Sequence, residues 1–194
     1  MSLKPDGSVQ IRTTNIYPTP IWTANLPVNT RQERKVSLNE DILTFIRGEF
    51  EKSPTIVEKS NKDGGWQSRT DLYNEPIFKD LGNDIYNVCK TIFPHIRGMQ
   101  IAQMWAAINF EHSYNAIHCH GSDYHLSGAY YLQVPENSGR IAFRDPRSAA
   151  INNYWSNVHI DHGEFHWQIP QESDLMLWPS FLDHMVEPSK SKDP

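Results

Sequence analysis

The sequence predicts a mainly β fold with helices on its amino-terminal side, and three observations carry that expectation. After Pro94, short apolar or alternating runs follow one another: Ile101 to Phe110, Tyr124 to Val134, Arg140 to Phe143, Phe165 to Ile169, Asp174 to Trp178 and Met185 to Val186. Clusters of Gly, Pro, Asn and Asp separate them, as in a sandwich or barrel with hairpin connections. Before Pro94, apolar residues recur instead at helical spacing in two stretches. The third observation is compositional: 38% hydrophobic residues with 6 Trp, 8 Tyr and 8 Phe can build a packed core, while 13 Pro and 10 Gly indicate many turns.

Taken in order, Ile16 to Leu26 alternates apolar and small polar residues around Pro18 and Pro20, which suits an edge strand because proline cannot donate to a ladder. From Ser37 to Glu51, Leu38, Ile42, Phe45, Ile46 and Phe50 mark one helical face, with Ser37 placed to cap it and Glu40 to complete the capping box. The polar stretch Glu58 to Asp71 contains Asp63-Gly64-Gly65 beside Trp66, so a loop able to sit over a pocket is expected there. Ile77, Leu81, Ile85, Val88 and Ile92 then define a second amphipathic helix that should lay its apolar side on a sheet, with Cys89 near that stripe as a core residue. A chain of 194 residues in this order is expected to form one domain, residues 1–194, with helical and loop-rich support over 31–95 and a β core over 99–188.

The formal net charge of -5 and a pI near 6.0 give no broad positive surface for releasing counterions from a nucleic-acid backbone, so no nucleic-acid partner is expected. Met1 to Gln10 is polar and lacks the apolar centre of a signal peptide, and no apolar run approaches membrane-spanning length. Cys89 and Cys119 form neither a disulfide framework nor a zinc-finger spacing. The expectation is a protein of the reducing cytoplasm that acts on a small-molecule or peptide substrate. A free sheet edge near the carboxyl end could support a homodimer.

The chemistry concentrates at His118-Cys119-His120. On an extended segment side chains alternate, so both imidazoles share one face and Cys119 takes the other, out of reach for activation as a nucleophile. Two neutral imidazoles are half of a metal site. His184, in Trp178-Pro179-Ser180-Phe181-Leu182-Asp183-His184, is the candidate third ligand, since a distant strand of a jelly roll can lie beside the first. With 9 His in the chain a His-x-His pair also arises by chance, and three imidazoles suit zinc plus a water as well as iron(II) with open positions. Neither a glycine-rich phosphate loop nor a Gly-x-Ser-x-Gly elbow is present, which disfavours phosphoryl transfer and serine hydrolysis.

In succession, Trp105 to Asn109, His118-Cys119-His120, Ser127-Gly128-Ala129-Tyr130-Tyr131-Leu132, Phe143-Arg144-Asp145-Pro146-Arg147 and Trp178 to His184 with Pro188 resemble a family of 2-oxoglutarate- and iron(II)-dependent oxygenases found in bacteria and phages. The agreement in order and spacing covers the last half of the chain. The resemblance implies a double-stranded β-helix, a cupin-like jelly-roll core with flanking helices. It implies Fe(II) and 2-oxoglutarate as cofactors, with His118, His120 and His184 at the metal positions. The activity implied is that of a dioxygenase acting as a hydroxylase, in which the protein positions and shields an oxidant formed from 2-oxoglutarate and oxygen at the metal.

Two departures from that pattern bear on the site. Most 2-oxoglutarate oxygenases place a carboxylate two residues after the first histidine, where this chain has His120; Asp123 is a nearby carboxylate with poor spacing from His118. The family also continues past the distal histidine into a strand whose arginine pairs with the far carboxylate of 2-oxoglutarate. This sequence ends at Ser189-Lys190-Ser191-Lys192-Asp193-Pro194, so the cosubstrate is expected to be held by other residues or by chain beyond those given. Candidates are Asn109, which could equally terminate a strand, and Tyr130 and Tyr131, of which alternation turns one to the pocket and one outside. Arg147, which with Arg144 flanks Asp145-Pro146, is a further candidate that could equally form a charged turn. Asp183 should point away from His184, and Trp66, Tyr154 and Trp155 are candidate substrate contacts. Two alternatives stay open: a cupin-like metalloenzyme using the same imidazoles without 2-oxoglutarate, and a non-enzymatic jelly-roll binding module.

Overall fold

The computed structural model describes residues 14–26, 38–54, 59–121, 123–151 and 164–194, and of residues 150 and 151 only the backbone. Ser37, Glu58, Tyr154, Trp155 and the segment Met1 to Gln10 lie outside the described residues. β1 (Trp22–Asn25) precedes α1 (Leu38–Lys52), β2 (Asn61–Lys62), β3 (Trp66–Gln67) and α2 (Lys79–Ile92). There follow β4 (Ala107–Ile108), β5 (Tyr114–His118), β6 (Leu126–Tyr130), β7 (Ile141–Arg144), the short α3 (Ser148–Ile151), β8 (Phe165–Gln168), β9 (Asp174–Pro179) and β10 (His184–Val186).

The strands form a three-stranded sheet in the order β1-β9-β6, a five-stranded sheet in the order β2-β5-β10-β7-β8, and the small pair β3-β4. From β5 onward the chain passes to the three-stranded sheet at β6, returns for β7 and β8, crosses again at β9 and returns at β10. This antiparallel winding between two facing sheets is the double-stranded β-helix, or jelly roll, with helices before it as expected.

The alternation of β9 sets the layers. Leu175 and Leu177 join the apolar cluster under the helices, whereas Met176 and Trp178 meet Ile141, Phe143 and Leu182 between the sheets. A strand covered on both faces reads in sequence as a continuous apolar run, as Leu175 to Trp178 does. Gly128, opposite Leu177 on β6, is required by this packing: a Cβ there would stand 2.6 Å from Leu177 Cδ2 and 2.8 Å from Met176 O.

α1 buries Leu38, Ile42 and Ile46 on one face, and α2 buries Leu81 and Cys89 with Ile85, Val88 and Ile92 packed beside them. Both helices start acidic and end basic, Glu40 and Asp41 against Lys52 and Asp80 against Lys90, which complements the helix dipole. Edge-on ring pairs, Phe45 with Phe78 at 5.6 Å and Phe50 with Trp66 at 5.6 Å, lock this layer. α1 is also tied to the sheet through Asn39, whose Oδ1 accepts from the Tyr130 hydroxyl at 2.8 Å and whose Nδ2 donates to Ser173 Oγ at 3.0 Å.

The structure corrects three local expectations. The stretch around Trp66 is no lid: Trp66 is 2% exposed in the helix-side core, and its indole N–H donates to Ser53 O at 2.8 Å. β2 and β3, on either side of the Asp63-Gly64 turn, join two different sheets and hold the stretch down. Ile101 to Phe110 is not one long strand, because Met104, Ala106, Ile108 and Phe110 pack on the helix-side core and only Ala107–Ile108 pair with β3. Ile77 stands ahead of the second helix, in a single 3-10 turn, Pro76–Phe78, that leads into α2.

Candidate metal centre

His118 ends β5, His184 begins β10, and the two are register partners, so their side chains project to one face. His120 lies two residues past β5, where its backbone N–H donates to Ser180 O at 3.1 Å. Gly121 follows with φ +73, a left-handed conformation that glycine adopts at little cost. Ser180 is buried and its hydroxyl donates to Tyr124 O, with Gly121 O at 3.2 Å, while its N–H donates to His125 O at 3.3 Å. The turn before β10 therefore latches the segment that carries His120.

Ligand-capable atoms of His118, His120 and His184 all lie within 4.8 Å of one another. Three nitrogens bound to one ion at about 2.1 Å can stand no more than about 4.2 Å apart, so a small ring adjustment closes the set. His118 Nδ1 lies 2.8 Å from Ala116 O, and His184 Nδ1 lies 2.9 Å from Leu182 O. A carbonyl can only accept, so each Nδ1 carries the proton and each Nε2 presents a bare lone pair, the form a metal binds. His120 is held by neighbouring rings, Trp105 at 5.6 Å and His184 at 5.1 Å between centroids.

Burial reinforces the neutral form. It pushes His184 down to about 4, against the opposing hydrogen bond to Leu182 O, with the two neighbouring imidazoles lowering it further. Burial and, second, His118 also hold His120 below the ordinary imidazole range. The donor set is three imidazoles without a carboxylate, and Asp123 is exposed and outside the group. Such a set fits iron(II) or zinc. Trp178, with its ring 4.9 Å from that of His184, and Phe143, at 6.4 Å, wall the buried side.

Of the other residues singled out in the sequence, Tyr131 is turned to the space between the sheets, where it packs on the Trp178 cluster. Burial, with the charge of Asp174 adding to it, pushes its phenol up, so it stays a neutral O–H donor. Tyr130 takes the opposite face by strand alternation and spends its hydroxyl on Asn39, which corrects the expectation that it could reach a cosubstrate. Arg147 is exposed and chelates Asp145 in the charged turn, Nη2 to Oδ2 at 2.6 Å, so its guanidinium is engaged with that carboxylate. Asn109 follows β4 and donates through Nδ2 to Asn115 Oδ1 at 3.1 Å. Cys119 is exposed and Cys89 buried, both as free thiols.

Asn115 is a residue that sequence reasoning missed. Simple alternation along β5 turns it away from His118, yet His184 pairs with His118 and Val186 with Asn115, so β5 has one extra residue between them. That bulge brings Asn115 onto the face of His118 and of Val186, which packs between the sheets. Only the pairing shows a bulge. Ser180, too, carries no sequence signal beyond its place in a Pro-containing turn.

Residues 103–194 match the model of a family described as "Putative 2OG-Fe(II) oxygenase". Among solved structures, the chain is similar to one described as the crystal structure of a Pseudomonas putida prolyl-4-hydroxylase. The TM-score is 0.62 at 12% identity, over 89% of this chain and 86% of that one, which establishes a common fold. No curated protein sequence matches the chain.

Proposed function

We propose that this chain is a 2OG-Fe(II) oxygenase of the family matched over residues 103–194, that it holds its iron on His118, His120 and His184, and that it hydroxylates a small-molecule or peptide substrate. The observation that carries the ligand assignment is the convergence of three imidazoles, two of them fixed with a bare Nε2 by backbone carbonyls. When bound, iron with 2-oxoglutarate and oxygen supplies the oxidant that removes hydrogen from a substrate carbon. The chain's own part is to bind and orient. Burial keeps His184 an unprotonated ligand, Ser180 secures the segment of His120, and Trp178 and Phe143 keep water from the inner side.

Tyr131 and the Asn109–Asn115 pair are the neutral donors we assign to the cosubstrate. Trp105, 36% exposed against His120, and Phe181, 58% exposed in the turn leading to His184, give the outer side an apolar surface for substrate. The cupin-like reading, a metalloenzyme without 2-oxoglutarate, is favoured by one observation, the absence of a carboxylate from the histidine group among the described residues. A single-domain chain working in a reducing cytoplasm, with its two cysteines as free thiols, completes the reading, and sedimentation would detect a homodimer formed through a sheet edge.

The direct test is formation of succinate from 2-oxoglutarate under air with added Fe(II). Wild-type protein is expected to turn over slowly even without its substrate. His118→Ala and His184→Ala are expected to lose stoichiometric metal and all turnover; retained metal-dependent turnover in either would refute the ligand assignment.

A further inference from the structure

Among the described residues, four buried side-chain atoms lack a hydrogen-bond partner: Asn109 Oδ1, Arg144 Nε, Gln168 Oε1 and Trp178 Nε1. The Gln168 amide can be turned end for end, Asn109 is already engaged through Nδ2 with Asn115 at 3.1 Å, and Arg144 is already engaged through Nη2 with Glu164 at 2.9 Å. An indole has no such freedom, because its N–H points where the ring points. Trp178 is 2% exposed, packed edge-on against Phe143 at 5.1 Å and against His184 at 4.9 Å. A buried donor without an acceptor costs stability, and a purely apolar ring would line the wall without that cost.

Trp178 lies on the inter-sheet face of β9, and its register partner Ser127 on β6 shares that face, with a small hydroxyl side chain beside the indole. 2-Oxoglutarate at neutral pH consists, for its polar part, of acceptors only: two carboxylates and a keto oxygen. The walls that receive it must supply donors, and an indole N–H is a donor and nothing else.

We propose that Trp178 is a cosubstrate-binding residue whose indole N–H donates to an oxygen of the 2-oxo acid entering between the sheets beside His184. This rests on the reading of the histidine centre as a 2-oxoglutarate site. It accounts for an orphan donor at this position, and it gives the chain a donor at the cosubstrate that does not depend on an arginine.

The test compares wild type with Trp178→Phe in three measurements: thermal unfolding of the metal-free protein, zinc stoichiometry, and affinity of the zinc-loaded protein for 2-oxoglutarate. Trp178→Phe is expected to stay folded, with a melting temperature lowered by the packing the smaller ring gives up, and to keep its zinc stoichiometry, while the 2-oxoglutarate Kd rises about tenfold or more. In a 1H–15N spectrum of zinc-loaded wild type, the Trp178 indole resonance is expected to move downfield on addition of 2-oxoglutarate. A purely structural tryptophan gives an unchanged Kd in the folded variant whatever the melting temperature does, and that result would overturn the proposal. Should Trp178→Phe fail to fold, an unmoved indole resonance in saturated wild type overturns it as well. If wild-type protein binds metal but not 2-oxoglutarate, the reading of the whole site falls, an outcome distinct from failure of the Trp178 contact alone.

Discussion

His184 shows how one residue's surroundings decide its chemistry. An unfolded imidazole titrates near 6.5 and the buried one near 4, so between those values the unfolded chain holds the extra proton. Stability of the metal-free protein is therefore full above about pH 6.5 and is lost as pH falls toward 4, by roughly 3 kcal/mol, since each pH unit between the two values contributes about 1.36 kcal/mol. Urea melts from pH 7 down to pH 4 measure this, and in His184→Asn the slope is expected to flatten. An unchanged slope in that variant would mean other groups carry the acid sensitivity. At this scale the sequence was readable where simple alternation holds: His118 and His120 share a face and Cys119 does not. It was unreadable at Asn115, where a bulge resets the alternation, and undecided between Tyr130 and Tyr131, because either tyrosine fits the pattern until the partner layer is known.

At the scale of elements, two polar fastenings make separable predictions. Asn39 joins α1 to the three-stranded sheet through Tyr130 and Ser173, so Asn39→Ala leaves buried partners unsatisfied and is expected to cost about 1–3 kcal/mol in chemical denaturation with metal stoichiometry unchanged. Loss of metal binding in that folded variant would contradict the separation of the helix layer from the histidine centre. Ser180→Ala releases the His120 segment and is expected to weaken metal affinity by about tenfold, the scale of losses when a ligand's support is removed, as read by competition with a chelator. Equal affinity would show that the backbone bond from His120 to Ser180 O suffices. The helices were legible because Leu38, Ile42 and Ile46, or Leu81, Ile85 and Cys89, repeat over several turns. β2, β3 and β4 were not, because a two-residue strand has no period to detect; for the same reason buried Trp66 read as part of a loop.

For the molecule as a whole, the winding between sheets brings His118 and His184 together across a long sequence interval, and no local pattern encodes that contact. The runs after Pro94 announced strands and β9 announced a strand covered on both faces, but which sheet each strand joins is set by pairing and burial in three dimensions. The jelly roll was reached from the succession of motifs, and the antiparallel sheets and the 0.62 TM-score bear it out. The central claim is that this scaffold holds iron on three imidazoles with 2-oxoglutarate beside it. Its most direct test is an anaerobic titration of metal-free protein with Fe(II) and then 2-oxoglutarate, followed by visible absorption. One iron per chain and a saturable charge-transfer band, both absent in His118→Ala and His184→Ala, is the expected result. Stoichiometric iron without a band would contradict the cosubstrate assignment in favour of a cupin-like metalloenzyme, and failure to bind iron would contradict the histidine centre itself.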